Sequence, residues 1–349
     1  MKKLLCLLLL MPLLFGCELT GTAAGDLKDV ELAAALAVDK TDEGMAVEVQ
    51  LLHRDRALEH QYAESYYQLN AVGDNLAEAV SNLYDKGARR LNFSHAAELV
   101  IGEAAAAPEN WLDYAVLSAQ LRPTLYPVIA EGSAADLLNS DGAVLSRVYL
   151  LNNILEPFGS GYAGAFAVTL QDFMTFLSQP GIAPSLPYIG RDRDGVRLVG
   201  MAVYDGAAWQ ILSEGETTLA WRLLLKPGHI RDEVITLDDG ISLNITKARV
   251  RRVAGDMDLT IDIRLKAEVL ANPQNISPQV AEARLAEYID GALQAAIAES
   301  RSLGVDFLGL GRDFWRQQPL VWQNIAGSDY LSRIKVAVNT SADIEREQI

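Results

Sequence analysis

The alternation of apolar and polar positions divides the chain into a mixed first half and a second half built on long alternating runs and one long helix. Ala34 to Val38 is an apolar run closed by Asp39-Lys40. Asp42-Glu43-Gly44 turns the chain, and Val47, Val49 and Leu51 then alternate with Glu48 and Gln50. The pattern predicts a β-hairpin with one wet face. Gly73-Asp74 opens a helix whose buried side is Leu76, Ala79, Val80, Leu83 and Tyr84, and Leu99 to Ile101 is an apolar strand ending in Gly102-Glu103. Further on, Trp111 to Leu121 reads as a helix stopped at Arg122-Pro123. Tyr126 to Ala130 reads as a strand, Ser133 to Leu138 as the start of a helix, Ala165 to Leu170 as a short strand and Asp172 to Leu177 as a short helix.

A turn-rich stretch from Gln179-Pro180-Gly181 to Gly190, followed by the charged Arg191 to Gly195, marks the main domain boundary. Gly200 to Gly206 starts the second half as a strand and tight turn. Ile241, Leu243 and Ile245 alternate, Ala248 and Val250 continue that strand, and Gly255-Asp256 turns it. Leu259, Ile261, Ile263, Leu265 and Ala267 then alternate with Thr260, Asp262, Arg264, Lys266 and Glu268, as long antiparallel neighbours do when one face is wet. From Ser277-Pro278 onward, Leu285, Tyr288, Ile289, Leu293, Ala296 and Ile297 recur at three- and four-residue spacing, a helix with one buried stripe that Gly304 stops. Ile334, Val336 and Val338 supply a last strand. The fold class is therefore α+β: a mixed α/β domain over residues 26–195, then an antiparallel sheet covered by a long helix over residues 196–349, with a subdivision near 255.

The N-terminus is a separate matter. Lys2 and Lys3 precede an apolar run from Leu4 to Phe15, too short to span a bilayer, and Gly16-Cys17 follows. Residues 1–16 read as a signal peptide. A cysteine directly after Leu14-Phe15-Gly16 looks like a bacterial lipobox, with Cys17 the lipid-modified first residue of the mature chain and residues 18–25 a short tether. Two or three acyl chains of the palmitate type meet the two-signal requirement for stable anchoring. The leader carries away Cys6, so the mature chain forms no internal disulfide and depends on its core. The formal charge is −16 and becomes −18 when Lys2 and Lys3 leave. So acidic a balance argues against nucleic-acid binding, and against electrostatic adhesion of the body to anionic lipid.

Candidate chemistry is sparse. Gly159 to Gly164 matches G-x-G-x-x-G but lacks the strand before it and the helix after it that a dinucleotide site needs, and reads as a loop. Asp192, Asp194 and Gly195 resemble the start of a calcium loop without its twelfth-position glutamate. The histidines His53, His60, His95 and His229 are dispersed, and His95 reads as a structural residue near the start of its strand. With no assigned nucleophile, base, metal ligand or cofactor motif, the chain is expected not to be an enzyme and to need no cofactor.

The combination of motifs resembles the Ger(x)C family, the lipoprotein C subunits of spore germination receptors. The strongest segment is Gly304-Val305-Asp306-Phe307-Leu308-Gly309-Leu310-Gly311, followed by Phe314-Trp315, Pro319 and Trp322. Arg89 to Glu103, with Ser94-His95 and Gly102-Glu103, and the hairpin at 200–206 agree with the same family. The resemblance implies a non-enzymatic subunit on the extracytoplasmic face of the spore inner membrane, assembled with integral A-type and B-type subunits that sense nutrients. It also makes the signature residues Asp306, Gly309, Gly311, Trp315 and Trp322 candidates for partner contact. The alternative from a different class is a solute-binding lipoprotein of a transporter, which calls for two similar lobes around a cleft.

Overall fold

A computed structural model describes residues 30–52, 66–86, 90–118, 121–139, 167–192, 195–213, 215–230, 233–327 and 329–345. Cys17, the leader, the tether and the Gly159–Gly164 loop lie outside them. Nine strands of the described residues form one mixed sheet: β1 (Val30–Thr41), β2 (Gly44–Leu52), β3 (Tyr66–Gly73), β4 (Arg90–Asn92), β5 (Glu98–Gly102), β6 (Tyr126–Ala130), β7 (Ser185–Asp192), β8 (Gly195–Tyr204) and β9 (Trp209–Ser213). The order is β3-β2-β1-β5-β6-β7-β8-β9, with β4 paired to β1. Strands β1, β5, β6 and β7 are mutually parallel, whereas the hairpins at either end are antiparallel.

Parallel strands in the middle of a sheet are covered on both faces and lose the wet/dry alternation. That is the origin of the unbroken apolar run in β1. Leu36 and Val38 face the main core, while Ala35 and Ala37 join Val100, Val128 and Ala130 on the opposite face, under the helix α1 (Ala134–Leu138). Asp39, at the end of β1, caps that helix: its carboxylate accepts from the backbone N–H groups of Ala134 (2.8 Å) and Ala135 (2.9 Å) and from the Ser133 hydroxyl (3.0 Å).

The helix expected from Gly73-Asp74 is Leu76–Lys86 with Leu76, Ala79, Val80 and Leu83 buried, although Tyr84 is exposed. The helix read from Trp111 to Leu121 is shorter, Leu112–Leu117, and buried Trp111 instead donates its indole N–H to the Ala106 carbonyl. The strand read from Ala165 to Leu170 is corrected: Leu170 begins a helix, α2 (Leu170–Ser178). A capping box decides this, since Thr169 and Asp172 each bond the other's backbone N–H.

Asp172 also pairs with Lys226 at 2.6 Å, tying α2 to the end of the following helix, Glu216–Leu225. Burial pushes the Asp172 carboxyl up, but Lys226 and Thr169 outweigh it and hold it below the ordinary carboxylate value. A carboxyl depressed on folding contributes stability above its unfolded pKa and loses it as pH falls through the folded one. Asp172→Asn is therefore expected to cost about 1–2 kcal/mol at neutral pH. Its melting temperature should converge on that of the parent as the solution is acidified below the carboxylate range, which a thermal scan at stepped pH reads directly.

Pairing in the large sheet does not stop at residue 195. Asp192 and Gly195 face each other at the tip of the β7–β8 hairpin, and the sheet runs on to Ser213. The 195/196 division thus falls within a hairpin, because its charged turn looks from sequence like a linker.

The second sheet holds β10 (Glu233–Thr236), β11 (Ser242–Ala254), β12 (Asp258–Ala271) and β13 (Lys335–Glu345), in that order. The β10-β11-β12 part is the expected antiparallel meander, but β13 lies parallel to β12. The crossover runs through the long helix α3 (Pro278–Leu303), whose buried stripe is Ala281, Leu285, Ile289, Ala292, Leu293, Ala296, Ile297 and Ser300, with Tyr288 half-buried. Gly304 closes α3 at φ +67. Ser277 holds the N-cap position without a side-chain bond, and Pro278 takes the first helical position.

Candidate functional site

The signature segment is read most directly from where α3 ends. Gly304 and Gly309 both have left-handed φ, so the chain reverses twice within six residues. Helix α4 (Leu310–Gln317) then starts, followed by Pro319–Ile325 and Tyr330–Arg333. Asp306 sits inside this reversal, only 6 % exposed. One carboxylate oxygen accepts from the Leu310 N–H (2.9 Å). The other accepts from the Gly311 N–H (2.7 Å) and from the Tyr330 hydroxyl (2.8 Å). The acid therefore caps α4 from within its own turn.

Arg252 reaches the same turn from β11. Its guanidinium donates to the carbonyls of Leu308 (3.1 Å) and Gly309 (2.9 Å), and lies 2.6 Å from an Asp313 carboxylate oxygen, with both side chains about nine-tenths buried. Burial pushes the Asp306 carboxyl up, against the N–H groups of Gly311 and Leu310, the Tyr330 hydroxyl and the Arg252 charge. Asp313 is likewise raised by burial, opposed by Arg252 and Arg312. Burial lowers both guanidinium groups, and for Arg312 the neighbouring Arg252 adds to it. The Tyr330 hydroxyl is pushed up by burial and by Asp306. Each charge in the cluster is disfavoured alone and sustained by the others.

The cluster also joins the two sheets. The Ala183 N–H donates to the Asp306 carbonyl and the Arg312 N–H to the Gly181 carbonyl, both at 2.7 Å. Gly181 has φ +71, and a Cβ there would stand 2.3 Å from the Gly311 carbonyl carbon. The loop before β7 and the signature turn meet backbone to backbone.

Of the sequence candidates, Asp306, Gly309, Gly311 and Trp322 are buried within this chain. Their work is internal: Gly311 leaves room for Tyr330, whose Oη would lie 2.7 Å from a Cβ at position 311, and Trp322 packs edge-on against Tyr330 at 5.2 Å. Trp315 is 37 % exposed and does face outward. His95 is exposed in the turn just before β5. His53, His60 and the His229 side chain lie outside the described residues.

Arg252, Asp313, Arg312, Tyr330 and Gly181 were not singled out by the sequence reading. Arg252 had a legible signal: it shares the inward phase of Ala248, Val250 and Ala254, a charge on a core-facing position. The others carry none, because nothing local links them to Asp306. Chemically the arrangement is a closed clamp in which the carboxylates face their own chain. Among the described residues no three His, Cys, Asp or Glu side chains are grouped to hold a metal ion.

Comparison with known proteins places this clamp in a class. The "Spore germination protein N-terminal domain" family matches residues 24–213, and the "Spore germination B3/GerAC like, C-terminal" family matches residues 200–348. The chain belongs to the Ger(x)C family of spore germination proteins. It is 23 % identical over 390 aligned positions to "Spore germination protein KC" of Bacillus subtilis (strain 168), covering 98 % of this chain and 95 % of that protein. It is 25 % identical to "Putative spore germination protein YfkR" of the same organism, over 75 % of this chain and 74 % of that one. A solved structure described as "Crystal Structure of the GerBC protein" shares the fold at TM-score 0.55 and 16 % identity, over 89 % of this chain and 97 % of that chain.

Proposed function

We propose that the protein is a non-enzymatic, lipid-anchored subunit of a spore germination nutrient receptor. It stands on the extracytoplasmic face of the inner membrane, attached through acylated Cys17, and assembles with integral A-type and B-type subunits. The observation that carries this reading is the continuous match to spore germination families from residue 24 to residue 348, which takes in both sheets and the clamp. No described helix is long and apolar enough to cross a membrane, so attachment rests on the cysteine at the end of the leader. A solute-binding lipoprotein calls for two similar lobes. Here a nine-stranded mixed sheet faces a four-stranded one of different topology, which favours the receptor subunit.

The test is recovery from spore membranes with a tagged chain. Multi-spanning proteins are expected to co-purify with it, and Cys17→Ala is expected to move most of the protein into the soluble fraction, since the acyl chains carry the attachment. Full retention of Cys17→Ala in washed membranes would refute the anchor. Recovery of the tagged chain free of membrane proteins would refute the assembly.

A further inference from the structure

The overall acidity hides a local inversion on the open face of the second sheet. Lys247, Arg249 and Arg251 project outward from β11, and Arg264 and Lys266 from β12, all exposed. The antiparallel register places Lys247 opposite Lys266 and Arg249 opposite Arg264. Like charges directly opposed on neighbouring strands repel, and a wet sheet face ordinarily mixes its signs. Acids answer part of this charge: Asp262 lies opposite Arg251, Asp343 lies opposite Lys266, and Glu345 pairs with Lys266. Arg264, by contrast, has only Ser341 across from it on β13. Among the described residues no ion pair engages Arg249 or Arg264. These two arginines, with Lys247, Lys266, Ser341 and Asp343, line an open groove of about 240 Å³.

We propose that this groove binds a phosphate-type oxyanion between the opposed guanidinium groups of Arg249 and Arg264, with Lys247 and Lys266 beside it. The planar donor forks of arginine match the paired oxygens of a phosphate, and a bound dianion converts two repulsive cross-strand pairs into a shared attraction. A free phosphate-bearing solute and a phospholipid head group offer the same chemistry.

Two arms distinguish those sources. The chain from residue 17 onward carrying Cys17→Ala retains every described element, since these begin at Val30, and has no acyl chain of its own. It is titrated with pyrophosphate by calorimetry and sedimented with vesicles of phosphatidylglycerol or of phosphatidylcholine. Saturable pyrophosphate binding assigns the groove a free solute, and binding to phosphatidylglycerol vesicles alone assigns it a head group. In either case Arg249→Gln/Arg264→Gln is expected to weaken binding by at least about tenfold without lowering the melting temperature. Absence of binding in both arms, binding to phosphatidylcholine as strong as to phosphatidylglycerol, or affinity unchanged in the double variant would overturn the proposal.

Discussion

Arg252→Met is expected to lower the unfolding free energy by about 3–5 kcal/mol, among the largest single-residue effects in the chain. The methionine keeps the apolar stem in the core but removes the guanidinium, leaving buried Asp306 to its N–H and hydroxyl donors and Asp313 to the weaker support of Arg312. Removing one partner of a buried pair typically costs that amount because the remaining charge has neither water nor a counter-ion. The Leu308 and Gly309 carbonyls lose their donor as well. The double variant Arg252→Met/Asp313→Leu is expected to recover a large part of the loss, since a well-packed apolar pair replaces an ion pair at little cost. Urea denaturation of the four proteins of this cycle gives the coupling. A loss in the double variant equal to the sum of the two single losses would show that the charges at 252 and 313 do not depend on each other.

Gly181→Ala is expected to cost about 2–5 kcal/mol. Roughly 1–2 kcal/mol comes from forcing a left-handed φ on an alanine, and about 1–3 kcal/mol from inserting a methyl where nothing yields. The obstruction is backbone: the new carbon would stand 2.3 Å from Gly311 and 2.4 Å from the Arg312 nitrogen. Gly304→Ala supplies the control, because φ there is +67 and no heavy atom lies within 4 Å of the added carbon. The difference in urea midpoints between the two isolates the contact between the halves from backbone strain. Matching midpoints would mean that the loop before β7 gives way at no cost, and that the halves are not clamped there.

How much of this was legible in advance follows the range of each interaction. The stripe of α3, the alternation of β12 and the glycine stop at Gly304 are local periodicities, and the structure reproduces them almost residue for residue. Asp306 and Gly309 were marked by the family resemblance, but their role was not, because it depends on an arginine more than fifty positions upstream in sequence and a tyrosine more than twenty downstream. The phase of β11 was harder still. A register shift between Ile245 and Lys247 moves the inward positions from 243 and 245 to 248, 250 and 252, so Arg252 is legible as an inward charge only when the phase is counted from Ala248 and Val250. Parallel β13 was unreadable for a similar reason: alternation reports a wet face and a dry one, not the direction of the neighbour.

The position of β13 has a consequence for how the molecule comes into being. Its 11 residues cover one whole side of β12 from Asp258 to Glu268, and among the described elements they come last in chain order. Until they arrive, β12 presents a long row of free amides and carbonyls to any strand nearby, the condition that invites edge-to-edge aggregation. A chain cut short before Lys335 would thus keep most of its hydrophobic interior and yet present that open edge.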